Sequence, residues 1–176
     1  MSRQRWIDEG LRVLADEGIA GVRIDRIAVR VGLSKGSFFH HFANVASYRS
    51  ALLDRWRADA SEQLTNAPEV SELADLVTAG DVVDVWLERA IRAWAQHDRT
   101  AAAALEEVDG ERLAALRRAW ESRLSDPKRA RAAALLPHLV VIGATVAHPA
   151  TSQDDLAAVF RLLAELIPAV DGTDHP

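Results

Sequence analysis

The chain has 176 residues, 49% of them hydrophobic and 27% charged, the balance of an ordinary soluble globular protein with a sizeable core. Without cysteine it forms neither disulfides nor thiolate metal sites, and no signal-peptide pattern or apolar run of the ~18 residues a membrane span needs is seen, so a cytoplasmic protein is expected. The net charge of −5 is uneven: residues 1–57 carry ten Lys and Arg against six Asp and Glu, and residues 58–176 carry eleven against twenty, so a polyanionic partner is expected to meet only the front end.

Nearly every segment reads as helix, because alanine, leucine, glutamate and arginine dominate and strand alternation is absent. The first predicted helix runs from about Arg3 to Glu17, with Ser2 as N-cap and Gly18 just past its end. Ile7, Leu11 and Leu14 form its buried stripe, and Gly10 is a small contact point. Next, Ile24, Ile27, Ala28 and Val31 fall at helical spacing on one face. Gly32 supplies the left-handed stop, and Ser34 the cap of another short helix. In that helix Phe38 and Phe42 face one side, while Lys35, Ser37, His40 and His41 lie largely on the others. Two short helices joined by a glycine-containing turn are the helix-turn-helix signature, whose second helix is sized for the DNA major groove. A fourth helix is predicted from Val45 to about Thr65, with Tyr48, Leu52, Leu53 and Trp56 along it, and a break follows over residues 66–68.

Further helices are predicted over 81–97 and over 100–124, the latter bent or split at Asp109-Gly110. Asp126 followed by Pro127 is an N-cap with proline at the first helical position. The helix it opens runs toward His148, with Pro137 expected to kink it and Pro149 marking its end. Ser152 with Asp155 resembles a capping box for the last helix, whose apolar face holds Leu156, Val159, Phe160, Leu163, Leu166 and Ile167. Residues 171–176 read as a frayed tail. Leu135, Leu136, Leu139, Val140, Ile142 and Val146 exceed what one small bundle face needs. The last two helices, about 127–147 and 153–169, are therefore expected to pair with a symmetry mate in a homodimer.

Five tryptophans are present, and Trp86 and Trp94 lie two turns apart on one face. With Trp120, His97 and His138 they could line an apolar pocket with a few polar groups; plain core packing is the alternative. Arg89 and Arg92 read as a solvated or ion-paired face, and so does the acidic run Glu106, Glu107, Asp109 and Glu111, which lacks calcium-ligand alternation. His40 and His41 are adjacent and face different directions, which suits phosphate contact or solvation rather than metal binding. No cofactor or metal is expected. There is no cysteine nucleophile, glycine-rich phosphate loop or Gly-x-Ser-x-Gly elbow, so catalysis is not expected.

The first ~50 residues resemble the TetR family of bacterial transcriptional regulators. The likeness rests on Asp16-Glu17-Gly18, Ile27-Ala28, Val31-Gly32-Leu33-Ser34-Lys35-Gly36-Ser37 and Phe38-Phe39-His40-His41-Phe42. It implies an all-α fold, with a helix-turn-helix DNA-binding domain over 1–47 and a helical effector-binding and dimerisation domain over 48–176. It further implies base reading by the start of the recognition helix, at Lys35, Gly36 and Ser37 after the cap Ser34. Phosphate contacts are implied at Phe39, His40 and His41, and at Arg23 where the second helix begins. Two positions depart from the family. Phe39 stands where tyrosine is usual and has no hydroxyl to give phosphate. Val45 and Ala46 follow Asn44 where a lysine usually begins the fourth helix; Arg49, one turn on, could compensate. Each lost phosphate contact weakens binding and lowers its salt dependence by roughly one counterion. The expected partners are an operator in double-stranded DNA and an unidentified small-molecule effector, with no membrane. The expected function is a ligand-released repressor. A helical protein-interaction module that has lost DNA binding is the alternative, and a helical-bundle enzyme a more distant one.

Overall fold

The computed structural model describes residues 2–66 and 84–169, and among these every regular element is helical. The order is α1 (Ser2–Glu17), a 3-10 turn (Ile19–Gly21), α2 (Ile24–Val31), α3 (Lys35–His41), α4 (Val45–Asn66), α5 (Val85–Ala95), α6 (Arg99–Glu121), α7 (Pro127–Val146) and α8 (Gln153–Ala169). The chain therefore folds as an all-α protein, with an N-terminal helix-turn-helix followed by further helices. By backbone contacts it divides into two compact units, Met1–Asp59 with Val85–Glu107, and Ala60–Asp84 with Val108–Pro176.

Most predicted elements stand, with corrected ends. Ser2 is the first residue of α1 rather than its cap. Asp84 is non-helical and α5 begins at Val85, so His97 lies in the turn after the helix and not within it. Helix α6 is not split at Asp109-Gly110, since it runs through both residues. A glycine inside a long helix lowers its stability by about 1 kcal/mol, which packing on either side overrides. Likewise α7 continues through Pro137, which is buried. The expected break after Asn66, residues 81–83 and the tail from Asp171 lie outside the described residues, as do the side chains of Leu166 and Ile167.

In the first unit an aromatic cluster joins α1, α3 and α4. Phe38 is fully buried, with Trp6 at 5.3 Å, Tyr48 at 5.2 Å and Phe42 at 5.1 Å between ring centroids. The Tyr48 hydroxyl donates to the Trp6 carbonyl at 2.5 Å, and burial pushes that phenol far above its usual range. A Cβ on Gly10 would overlap the Tyr48 hydroxyl and come within 2.8 Å of Leu52 Cδ2, so only glycine lets α1 and α4 approach this closely. Helix α5 also packs on α1, and its buried Glu88 accepts from Trp56 Nε1 at 3.1 Å while lying 3.6 Å from Arg92 Nη2. An exposed ion-pair chain, Arg12–Glu9–Arg30–Glu17–Arg26, ties α1 to α2.

In the second unit Leu116, Trp120 and Leu124 form a stripe at four-residue spacing. It packs against Ala130, Ala133 and Ala134 of α7. Both predicted caps form. Asp126 accepts from Lys128 N–H at 2.9 Å. Ser152 accepts from Asp155 N–H at 3.0 Å and donates to the Asp155 carboxylate at 2.6 Å. Helix α7 packs against α8, yet Leu136, Leu139 and Val146 on α7 and Val159 and Leu162 on α8 remain exposed. By length and composition alone α7 is also long and apolar enough to cross a membrane. Its first turns, however, carry Lys128, Arg129 and Arg131, and one of its faces sits in the core just described.

Candidate nucleic-acid interface

The turn before α3 follows from its residues. Gly32 adopts φ 64° and ψ 37°, the left-handed region that glycine enters without strain. Leu33 N–H reaches back to the Ala28 carbonyl at 3.0 Å, which closes the end of α2. Arg5 on α1 donates to the Val31 carbonyl at 2.6 Å and satisfies another acceptor there. Ser34, in extended conformation, accepts from Ser37 N–H at 3.2 Å and starts α3. These bonds aim the short helix, and Phe38 fastens it to the core.

With Phe38 inward, Lys35, Gly36 and His40 are exposed, and Ser37 and His41 are half-buried. Phe39 is 58% exposed and rests edge-on against Phe38 at 5.2 Å. The His40 and His41 rings lie 5.0 Å apart. So α3 turns outward the residues that its helical spacing had placed there. Arg23, at the N-cap of α2, is exposed and paired with Asp25 at 3.3 Å.

Arg49 sits differently. It is half-buried, and its Nε has no hydrogen-bond partner among the described residues. Its charge bears on Asp98 at the start of α6. That carboxyl is held below the usual range by the Ala101 backbone N–H, against the opposing effect of burial; bonds from the Trp94 side chain and the Thr100 N–H, and then the charge of Arg49, add to the lowering. One capping pair escaped sequence reasoning: Asn44 Oδ1 accepts from Ser47 N–H at 2.8 Å, while Asn44 N–H donates to Ser47 Oγ at 3.2 Å. The signal was an Asx residue three before a serine, at the head of an apolar pattern.

Six of the ten cations of the front end are engaged in ion pairs. Arg12, Arg23, Arg26, Arg30, Arg55 and Arg57 all pair with carboxylates. Of the cations in residues 1–57, that leaves Arg3, Arg5, Lys35 and Arg49 without a carboxylate ion pair among the described residues. Among the described residues Lys35 is therefore a cation without a carboxylate partner, at the start of an outward-facing helix.

The expected pocket residues divide between the two units. In the first, Trp94 is buried, Trp86 is 58% exposed and His97 is exposed. In the second, His138 is half-buried and Trp120 is buried. The Trp120 indole N–H has no hydrogen-bond partner among the described residues, and neither has Arg117 Nε, one turn away on the same helix. Glu88 was not singled out in the sequence, because nothing distinguishes it locally from the other carboxylates.

A helix-turn-helix head whose recognition helix presents lysine, glycine, serine and histidine outward, followed by further helices, defines the class of molecule. Residues 7–45 match the family described as bacterial regulatory proteins, tetR family, so the TetR resemblance holds over that segment. No curated protein sequence matches significantly. Among solved structures, a transcriptional regulator from Rhodococcus sp. Rha1 aligns over 100% of both chains, at 16% identity and a TM-score of 0.77. The multidrug binding protein EbrR in complex with imidazole aligns over 93% of this chain and 94% of its own, at 22% identity and 0.61. Reduced NemR from E. coli aligns over 94% and 97%, at 16% identity and 0.68. At these identities the likeness is one of fold.

Proposed function

We propose that this chain is a dimeric DNA-binding transcriptional regulator, a repressor that a small-molecule effector releases. The observation that carries the reading is the outward face of α3, where Lys35, without a carboxylate partner among the described residues, stands beside Gly36 and Ser37. Lysine donates to guanine O6 and N7 or holds a phosphate, and serine does either more weakly. The domain division that goes with it is DNA binding in 1–47 and effector binding with dimerisation in 48–176.

Dimerisation through α7 and α8 is supported by their exposed stripe of Leu136, Leu139, Val146, Val159 and Leu162. Exposed large apolar side chains spaced along both helices suit an interface between two copies, and two copies would read two half-sites. Effector binding is supported by the buried donors Trp120 Nε1 and Arg117 Nε, which have no hydrogen-bond partner among the described residues, since a buried N–H without an acceptor costs about 1–3 kcal/mol. The multidrug binding protein of like fold, described with imidazole and with malachite green bound, agrees with a ligand-binding body. Release is then a population shift: DNA favours two heads about 34–36 Å apart, one duplex turn or a multiple of it, and the effector favours another spacing. By linkage each ligand weakens the other by one factor.

The test is anisotropy of labelled duplex DNA from upstream of the coding sequence. Wild type is expected to bind at low salt, and Lys35→Ala to lose most specific affinity. Equal binding by the two proteins refutes the reading. That result would favour the protein-interaction module, to which the exposed Phe39 without its hydroxyl gives some support.

A further inference from the structure

Arg3 lies in the first turn of α1, and its guanidinium carbon sits 5.2 Å from the centroid of the Phe42 ring. Phe42 is the C-cap of α3. A residue 39 positions earlier in the chain is thus stacked at the far end of the recognition helix. Phe42 is only 3% exposed, while Arg3 itself is exposed and has no carboxylate ion pair among the described residues. A guanidinium held over a ring is partly pre-ordered, which lowers the entropy a long side chain loses on binding, and an exposed one keeps N–H groups that can donate.

The place matters as much as the charge. Seven helical residues span ~10 Å, close to the ~12 Å width of the major groove. A helix that lays its Lys35 end against bases therefore brings its other end near a phosphate wall. That end is hostile to phosphate by itself, because the last carbonyls of a helix carry partial negative charge. A guanidinium there reverses the local sign. Two phosphate contacts implied by the family resemblance are missing, at Phe39 and at Val45-Ala46, and Arg49 is half-buried where Arg3 is exposed. Of the other arginines of α1 and α2, Arg12, Arg26 and Arg30 are held by Glu9 and Glu17, and Arg5 donates to the Val31 carbonyl.

We propose that Arg3, stacked on Phe42, is a phosphate contact of this protein and substitutes for the missing lysine and tyrosine. The inference rests on the proposed DNA-binding function. Since phosphate carries no base identity, the contact adds affinity equally on all sequences.

The experiment is a salt titration of DNA affinity for the full chain, by anisotropy, on the upstream duplex and on a scrambled duplex. Arg3→Ala is expected to weaken binding to both by a similar factor, about three- to tenfold. It is also expected to reduce the slope of log affinity against log salt by about one counterion per protomer. Arg12→Ala, whose parent pairs with Glu9, is expected to leave the slope unchanged. Arg3→Gln covers Phe42 without charge and must repeat the Arg3→Ala slope; it replaces that variant should alanine unfold the head. An unchanged slope in Arg3→Gln, with wild type still bound to DNA, overturns the assignment of Arg3 alone. Wild type that binds neither duplex at low salt overturns both this inference and the proposed function.

Discussion

Gly36 is exposed near the start of α3, and a Cβ built on it meets only the Ser34 Oγ, at 3.6 Å, an ordinary contact distance. The free protein thus has room for Gly36→Ala. Helix propensity favours alanine over glycine by about 0.8–1.0 kcal/mol in a helix interior, and somewhat less is expected in this first turn. For a chain of this size ~1 kcal/mol raises Tm by about 2–4 °C. In a DNA complex where the backbone at Gly36 lies against the groove, the added methyl has no space. Overpacking of one methyl costs about 1–3 kcal/mol, or roughly five- to 150-fold in affinity. One substitution is therefore expected to move two quantities in opposite directions. Thermal melting by circular dichroism gives the first, and anisotropy on labelled duplex DNA the second. A Gly36→Ala protein with unchanged DNA affinity and raised Tm would refute close backbone approach at this residue, while a lowered Tm would show that α3 is not free on that side.

Three other outcomes follow from the same geometry. Gly10→Ala should destabilise by about 2–4 kcal/mol in urea melts: the new methyl displaces the Tyr48 hydroxyl, combining overpacking with a lost buried bond to the Trp6 carbonyl. Tyr48→Phe should cost only about 1 kcal/mol, and equal losses would contradict the overlap. Leu139→Glu, on the exposed face of α7, should yield monomers by sedimentation with helicity intact; a sedimentation coefficient matching the parent's would remove that face from any interface. Asp98→Ala should cost about 1 kcal/mol near neutrality, since the carboxylate caps α6 through the Thr100 and Ala101 N–H groups. The Asp98 carboxyl titrates lower folded than unfolded, so its contribution is present above an unfolded pKa of about 3.9 and fades as pH falls through the folded value. The variant should accordingly show a flatter acid limb below about pH 4, and parallel limbs would show that Asp98 is not a contributor.

Local pattern was enough for the elements and for the outward face of α3. Gly32, Ser34, Asp126 and Ser152 each act within a few residues of themselves, so their turns and caps are legible without any fold. The periodicity of Phe38 and Phe42 likewise settles which side of a seven-residue helix goes inward. Long-range pairings are another matter, because no local preference encodes them. The sequence shows ten cations in its first 57 residues, but only the folded chain shows that six pair with carboxylates. Gly10 beneath Tyr48, Glu88 beside Trp56 and Arg3 on Phe42 join residues 32–39 positions apart. Charge and glycine content are properties of the chain, whereas which charge stays free and which glycine must stay bare depends on what tertiary packing sets beside them.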